Sequence, residues 1–176
     1  MLNLPSSLLG GGEATFEARE IGPASADIID RFWEKTKSRF PIVLRRDASF
    51  YRWFCFSEEI LPKRVYGLFQ GDELAAVLCF CQRNWSGRRE LELLDFWPPP
   101  SDEAVPAMLI CARRLAKEWR CDLIQIPHFS ESLAGALRRR GVWYRKENRR
   151  RHFFQGGGLG GLSLECRSGL EGDWAL

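Results

Sequence analysis

Hydrophobic and polar positions along this chain repeat with two different periods, and the clearest change from one to the other lies between residues 90 and 119. Residues 90–97, Glu-Leu-Glu-Leu-Leu-Asp-Phe-Trp, largely alternate between polar and apolar, the two-residue period of a strand. Pro98-Pro99-Pro100-Ser101-Asp102-Glu103 breaks the pattern. Val105, Met108, Leu109, Ala112, Leu115, Ala116 and Trp119 then recur at the i, i+3, i+4, i+7 spacing of a helix with one buried face. Pro106 is tolerated only in a first turn, so the helix is expected to begin near Glu103. A strand that runs through a short turn into a helix is a common ligand-binding position in α/β proteins, so function is sought here first.

The rest of the pattern builds a frame around that stretch. Residues 1–14 include Gly10-Gly11-Gly12 and read as a flexible arm. Thr15 to Ile21 forms a first strand, broken by Gly22-Pro23. Ser25 is positioned to cap a helix carrying Ile28, Ile29, Phe32 and Trp33 on one face, and Asp47 to cap a short aromatic helix with Phe50, Tyr51, Trp53 and Phe54. Val65–Phe69 and Leu74–Gln82 read as strands joined by the turn Gln70-Gly71-Asp72-Glu73, and Asn84-Trp85-Ser86-Gly87 leads into the strand of residues 90–97. Short loops between consecutive strands favour antiparallel pairing. Beyond the central helix, Cys121–Ile126 is a strand, Ser130 caps a helix burying Leu133, Ala134 and Leu137, and Gly141 sits where a C-terminal glycine belongs. Residues from Val142 to about Phe154 and from Leu162 to Cys166 read as further strands, followed by a tail at 167–176. The expected fold is α/β (α+β): one domain over residues 15–166, with a mixed, mostly antiparallel sheet flanked by helices on both faces.

Composition narrows the class. The chain has 176 residues, 45% hydrophobic and 28% charged, which fits one well-buried core. No apolar run approaches the roughly 18 residues of a membrane span, and the N-terminus has no signal-peptide pattern. The six cysteines include no C-x-x-C pair and read as reduced core residues of a cytoplasmic protein. Cys79 and Cys81 are placed on one face of a strand, and with only two histidines no zinc-ligand spacing arises, so no metal is expected.

The element order, an antiparallel run followed by strand–turn–helix–strand–helix–strand, resembles the GNAT superfamily of N-acetyltransferases. Local support comes from the Gly71-Asp72-Glu73-Leu74 turn and the Arg138-Arg139-Arg140-Gly141-Val142 helix end, while Asp47-Ala48-Ser49-Phe50-Tyr51-Arg52-Trp53 is similar to a segment of GNAT-like proteins linked to polysaccharide or cell-envelope synthesis. The resemblance implies transfer of an acyl group from acyl-CoA (acetyl-CoA), or another thioester donor, to a small-molecule amine or amino sugar. It also implies that backbone N–H groups between the fourth strand and its helix hold the donor's pyrophosphate, in a loop of pattern Arg/Gln-x-x-Gly-x-Gly/Ala. This sequence departs there: three prolines carry no N–H, and Asp102 and Glu103 add negative charge. A second departure is Leu137, which stands where the family often has a tyrosine general acid.

Candidate chemistry follows from that placement. Glu92 is the candidate general base, with His128 as a second acid or base near where the strand ends should part. The donor is expected against Phe96, Trp97 and Ser101. Strict alternation puts Asp95 on the opposite face from Glu92, where its carboxylate can order the loop through backbone N–H bonds. Glu92 also has a plainer reading as a strand residue facing outward, and His128 as a loop histidine bonded to backbone. Arg138–Arg151 is the strongest charge cluster and lies among aromatics, a combination that suits phosphates or single-stranded nucleic acid and equally suits a solvated edge. Gly156–Gly161 lacks the Lys-Ser/Thr of a phosphate loop and reads as a linker. The alternatives to an acyltransferase are a catalytically degenerate GNAT-like binding module and, less favoured, a nucleic-acid-binding protein.

Overall fold

The computed structural model describes residues 16–39, 45–56, 61–98, 101–126 and 131–142. Expectations placed on the N-terminal arm, His128, Ser130, the strands after Val142, the glycine-rich run and the C-terminal tail lie outside the described residues. Five strands, β1 (Glu17–Ile21), β2 (Lys63–Gln70), β3 (Glu73–Trp85), β4 (Arg88–Trp97) and β5 (Leu123–Gln125), form one sheet in the order β1-β2-β3-β4-β5. The first four pair antiparallel, and β5 joins β4 in parallel. Helices α1 (Asp27–Thr36) and α2 (Ala48–Phe54) cover one face, and α3 (Val105–Glu118) and α4 (Glu131–Arg139) the other. This is the expected mixed, mostly antiparallel α/β architecture.

Local chemistry explains most boundaries. The β2–β3 turn turns on Gly71 at φ +60°. The β3–β4 hairpin closes on Ser86 and Gly87, both at positive φ, the type I′ combination whose twist matches the strands. That two-residue turn lets β3 and β4 run longer than the sequence pattern suggests. Asp47 caps α2 as expected, its carboxylate accepting from the Phe50 N–H at 2.9 Å. Ser25 does not cap α1: it belongs to a preceding 3-10 turn and its hydroxyl donates to the Gly22 carbonyl, so Ala26 takes the cap position with no side-chain bond. The central helix starts at Val105 rather than near Glu103, with Pro106 in its first turn.

Both long helices around the site end in a Schellman pattern. At α4, Val142 N–H bonds the Leu137 carbonyl and Gly141 N–H the Arg138 carbonyl, with Gly141 at φ +64°. At α3, Cys121 N–H bonds the Ala116 carbonyl and Arg120 N–H the Lys117 carbonyl, and here a non-glycine, Arg120, takes the positive φ.

β4 is the middle of the molecule. Leu91, Leu93 and Phe96 pack under α3 and α4 with Leu78, Phe80 and Met108, while Leu94 and Trp97 pack under α1 and α2 with Trp33, Tyr51 and Val77. Because both faces are covered, even the acidic members of the strand are buried: Glu90, Glu92 and Asp95 are 8%, 7% and 0% exposed. Glu92 is therefore not an outward-facing strand residue.

Candidate active site

Two irregularities distinguish β4 next to the expected site. The parallel ladder with β5 pairs Glu90 with Leu123, Leu91 with Ile124 and Glu92 with Gln125, and ends there. β4 continues for five more residues to Trp97, so its edge from Leu93 onward has no β5 partner among the described residues. On the other edge, Phe80 pairs with Leu93 but Cys79 pairs with Asp95, which leaves Leu94 as the extra residue of a β-bulge. A strand that loses one neighbour and bulges against the other presents backbone at the point of separation, and Glu92 sits at the last paired position.

The bulge overturns one expectation from strict alternation. Leu93 faces α3 and α4, whereas both Leu94 and Asp95 face α1 and α2. Asp95 thus shares the face of Glu92. Among the described residues its partners are side chains rather than loop N–H groups: Arg46 Nε donates to both of its carboxylate oxygens at 3.1 Å, and the Tyr51 hydroxyl donates at 2.9 Å. The Arg46 guanidinium also lies 5.4 Å from the Trp97 ring centroid. Arg46 and Asp95 are fully buried as side chains. Burial first, then the charge of Asp95, pushes the Tyr51 phenol well above its usual range, so it remains a donor. This network bolts the segment before α2, and α2 itself, to β4 at the bulge.

Glu92 lies on the same face with a side chain only 9% exposed, ion-paired to Arg83 Nε at 2.7 Å. Cys81, its cross-strand neighbour, carries a thiol that burial pushes up to about 12. Cys79 and Cys81 do share a face, and the Cys79 and Cys55 sulfurs lie 3.0 Å apart. The residues expected to meet a donor divide. Phe96 and Trp97 are 0% and 1% exposed, so their rings belong to the two cores, with the Trp97 indole N–H donating to Thr36 at 2.7 Å. Ser101 is exposed and closes the turn before α3: its carbonyl accepts from Ala104 N–H at 3.0 Å and Val105 N–H at 3.1 Å, and its hydroxyl from Ala104 N–H at 3.3 Å.

Next to Ser101, Asp102 faces the end of α4. Its carboxylate accepts from Arg139 Nη2 at 2.8 Å and from Arg140 Nη1, and its carbonyl accepts from Arg140 Nη2. The guanidiniums, Arg140 first and Arg139 second, hold the Asp102 carboxyl below the usual carboxylate range. Leu137 is buried under this contact, in the core. A groove of about 540 Å³ lies elsewhere, lined by Glu20, Gly22, Cys55, Lys63, Arg64 and Trp119 among others. It includes no residue of β4 or β5.

Three solved structures align over nearly their whole length. A probable acetyltransferase matches with a TM-score of 0.57 at 12% identity, over 80% of this chain and 97% of its own. An aminoglycoside acetyltransferase from an uncultured soil metagenomic sample, in complex with trehalose, gives 0.54 at 10%, over 82% and 97%. A ribosomal-protein-alanine N-acetyltransferase from Brucella melitensis biovar Abortus gives 0.53 at 11%, over 80% and 99%. The chain has a GNAT-like fold. No protein-family model matches it, and no curated protein matches its sequence significantly. At such low identity the GNAT likeness rests on architecture, the same ground on which the sequence resembles the superfamily.

Sequence reasoning located the strand–turn–helix but missed two clusters. The pairing of Arg46 with Asp95 spans 49 positions, and that of Asp102 with Arg139 and Arg140 spans 37 and 38. Neither distance leaves a local pattern. The only signal was an excess of buried-type aromatics around Tyr51, and acids and bases standing in separate runs.

Proposed function

We propose that this protein is an N-acyltransferase that passes an acyl group from a thioester donor to an amine in the crevice where β4 and β5 part. The observation that carries the reading is the end of the β4–β5 ladder at Glu92 and Gln125, with a bulge at Leu94 immediately beyond. Strand backbone that β5 does not pair there can hydrogen-bond the acyl carbonyl and a neighbouring amide of the donor, which orients the thioester for direct attack. Glu92 supplies the nearest carboxylate. Its role is to draw the amine toward the carbonyl and to take the proton released as the C–N bond forms, while the C–S bond breaks and the donor leaves as a thiolate that takes a proton from water. Arg83 holds that carboxylate in place. His128 remains the second acid–base candidate, from the segment after β5.

The acceptor class that fits is a small amine or amino sugar, consistent with the resemblance of the Asp47–Trp53 segment to proteins of polysaccharide and cell-envelope synthesis and with a neighbour in the fold that acts on aminoglycosides. Acetyl-CoA is the donor that the fold suggests, but the usual backbone cradle for its pyrophosphate does not fit these residues. Ala104 and Val105 N–H groups are taken up by Ser101, and Pro106 has none. Arg139 and Arg140 are engaged by Asp102, which weakens the case for an open nucleic-acid surface at the helix end.

The test is acetyl transfer from acetyl-CoA to a panel of amines and amino sugars, comparing the wild type with Glu92→Gln. The expected result is a kcat lower by about 10²- to 10⁴-fold, with the KM for the amine little changed and circular dichroism confirming that the variant folds. An unchanged kcat would remove Glu92 from the chemistry.

A further inference from the structure

We propose that Cys55 and Cys79 form a redox-modification site: hydrogen peroxide entering the groove at the end of α2 oxidises Cys55, and Cys79 resolves the product to a disulfide that ties α2 to β3. This site stands apart from acyl transfer and does not rest on it.

The fold brings the two thiols together across 24 positions of chain and sets their sulfurs 3.0 Å apart, both as free cysteines. Each is held by backbone. Cys55 is the C-cap of α2, its N–H bonding the Tyr51 carbonyl at 2.8 Å, and Cys79 lies inside β3 between Val65 and Asp95. The sulfurs can therefore bond by side-chain rotation, with helix and strand left where they are. Access is unequal. Cys55 lines the 540 Å³ groove with Lys63 and Arg64, whereas Cys79 is 0% exposed behind it, so a small oxidant meets Cys55 first. The Lys63 ammonium is fixed on the groove wall, donating to the Phe54 carbonyl at 2.6 Å, and positive charge there favours the thiolate, which is the reactive form. Burial first, then the contact with Cys55, pushes the Cys79 thiol well above its usual range, so Cys79 keeps its proton while Cys55 reacts. The Cys55 sulfur attacks one peroxide oxygen, the O–O bond breaks, and the thiol proton leaves with the other oxygen as water. Cys79 sulfur then attacks the resulting sulfenic acid: the S–S bond forms, the S–O bond breaks, and the departing hydroxide takes the Cys79 proton as a second water. The two thiols thus supply the two electrons that one peroxide consumes. Cys81, two residues on, has Arg83 as its hydrogen-bonding neighbour. Disulfides in reducing compartments are usually transient and redox-sensing. This one would staple α2 to the sheet beside Asp95, where Tyr51 and Arg46 already clamp it.

The experiment treats the full, folded chain with a small excess of hydrogen peroxide, quenches with acid, alkylates the remaining thiols and maps the peptides by mass spectrometry. The expected product is lighter than the reduced chain by about 2 Da, the two hydrogens lost, and returns to the original mass with dithiothreitol. The map is expected to join Cys55 to Cys79 while Cys111 and Cys121 stay alkylated; chymotryptic cleavage after Phe80 separates Cys79 from Cys81. Cys79→Ala is expected to leave Cys55 as a sulfenic acid that dimedone traps, and Cys55→Ala to leave Cys79 reduced at the same peroxide level. Circular dichroism checks the fold of each variant, and the wild-type map decides the matter even where an alanine change unfolds the chain. Cys55 and Cys79 both remaining alkylated while the half-buried Cys121 is consumed overturns the proposal, as does a link from either of them to Cys81. Dimedone on Cys79 in the Cys55→Ala variant, with none on Cys55 in the other, overturns the assignment of Cys55 as the residue that meets the peroxide.

Discussion

Replacing Asp95 with asparagine tests whether the buried network under the bulge is what holds the α2 side of the molecule to β4. The substitution keeps the size of the side chain and removes its charge. Arg46, 1% exposed, then loses the carboxylate that accepts its Nε at 3.1 Å to each oxygen, and the Tyr51 hydroxyl loses a charged acceptor at 2.9 Å. Depriving a buried charge of its counter-charge costs about 3–5 kcal/mol. Tyr51→Phe removes only one hydrogen bond to a charged group and is expected to cost about 1.5–3 kcal/mol. For a chain of this size the asparagine variant should melt roughly 10 °C below the wild type. The sharper comparison is a cycle with Arg46→Met and Asp95→Leu. Each single change strands the other partner's charge, whereas the double change replaces an ion pair by apolar groups and should come within about 1–2 kcal/mol of the wild type. Urea denaturation of all four proteins, read by linear extrapolation, gives the cycle directly. An Asp95→Asn cost below about 1 kcal/mol, or a double variant as unstable as the sum of the singles, would refute the reasoning, because either result means that the pair is solvated or not coupled.

Two further predictions follow from helix ends and buried thiols. Arg120 holds a positive φ of 54° at the Schellman end of α3, a conformation that costs a residue with a Cβ about 1 kcal/mol, so Arg120→Gly is expected to raise stability by about that amount in the same urea assay; a loss would mean that the arginine side chain contributes more than its backbone costs. Burial pushes the Cys81 and Cys111 thiols up to about 12, and Tyr51 is raised as well. Because these folded-state values lie above the unfolded ones, the stabilising effect is complete below about pH 8.5 and is lost as pH rises toward 12. Thermal melts between pH 8 and 11 should therefore fall progressively, and a flat profile would show that these groups ionise in the native state as they do unfolded.

Legibility differed between the elements and the contacts they make. The five strands and four helices of the described residues were each visible in a local period, since Leu91 and Leu93 must point one way along a strand and Met108, Ala112 and Leu115 one way around a helix. Where boundaries moved, the cause was short-range chemistry that several patterns permit. Ser86-Gly87 made a tighter turn than Asn84–Gly87, and Ser25 bonded backward to Gly22 rather than forward into α1. The face of Asp95 was misread for a different reason. A single extra residue in β4, matched against β3, reverses every later side chain, and nothing within residues 90–97 says that the partner strand will skip one.

Local residue patterns specify the α/β class, the element order, the position of Glu92 on the central strand and the loss of backbone N–H donors at Pro98 and Pro106. Those properties depend on periodicity and on proline's missing hydrogen, both of which act within a few residues. Long-range contacts set the rest: among the described residues β4 and β5 stop pairing at Glu92, a bulge turns Asp95 onto Arg46 and Tyr51, and Asp102 gathers Arg139 and Arg140. Each of these joins groups dozens of residues apart, and their partners are chosen by the packing of whole helices against a sheet, which no local pattern encodes.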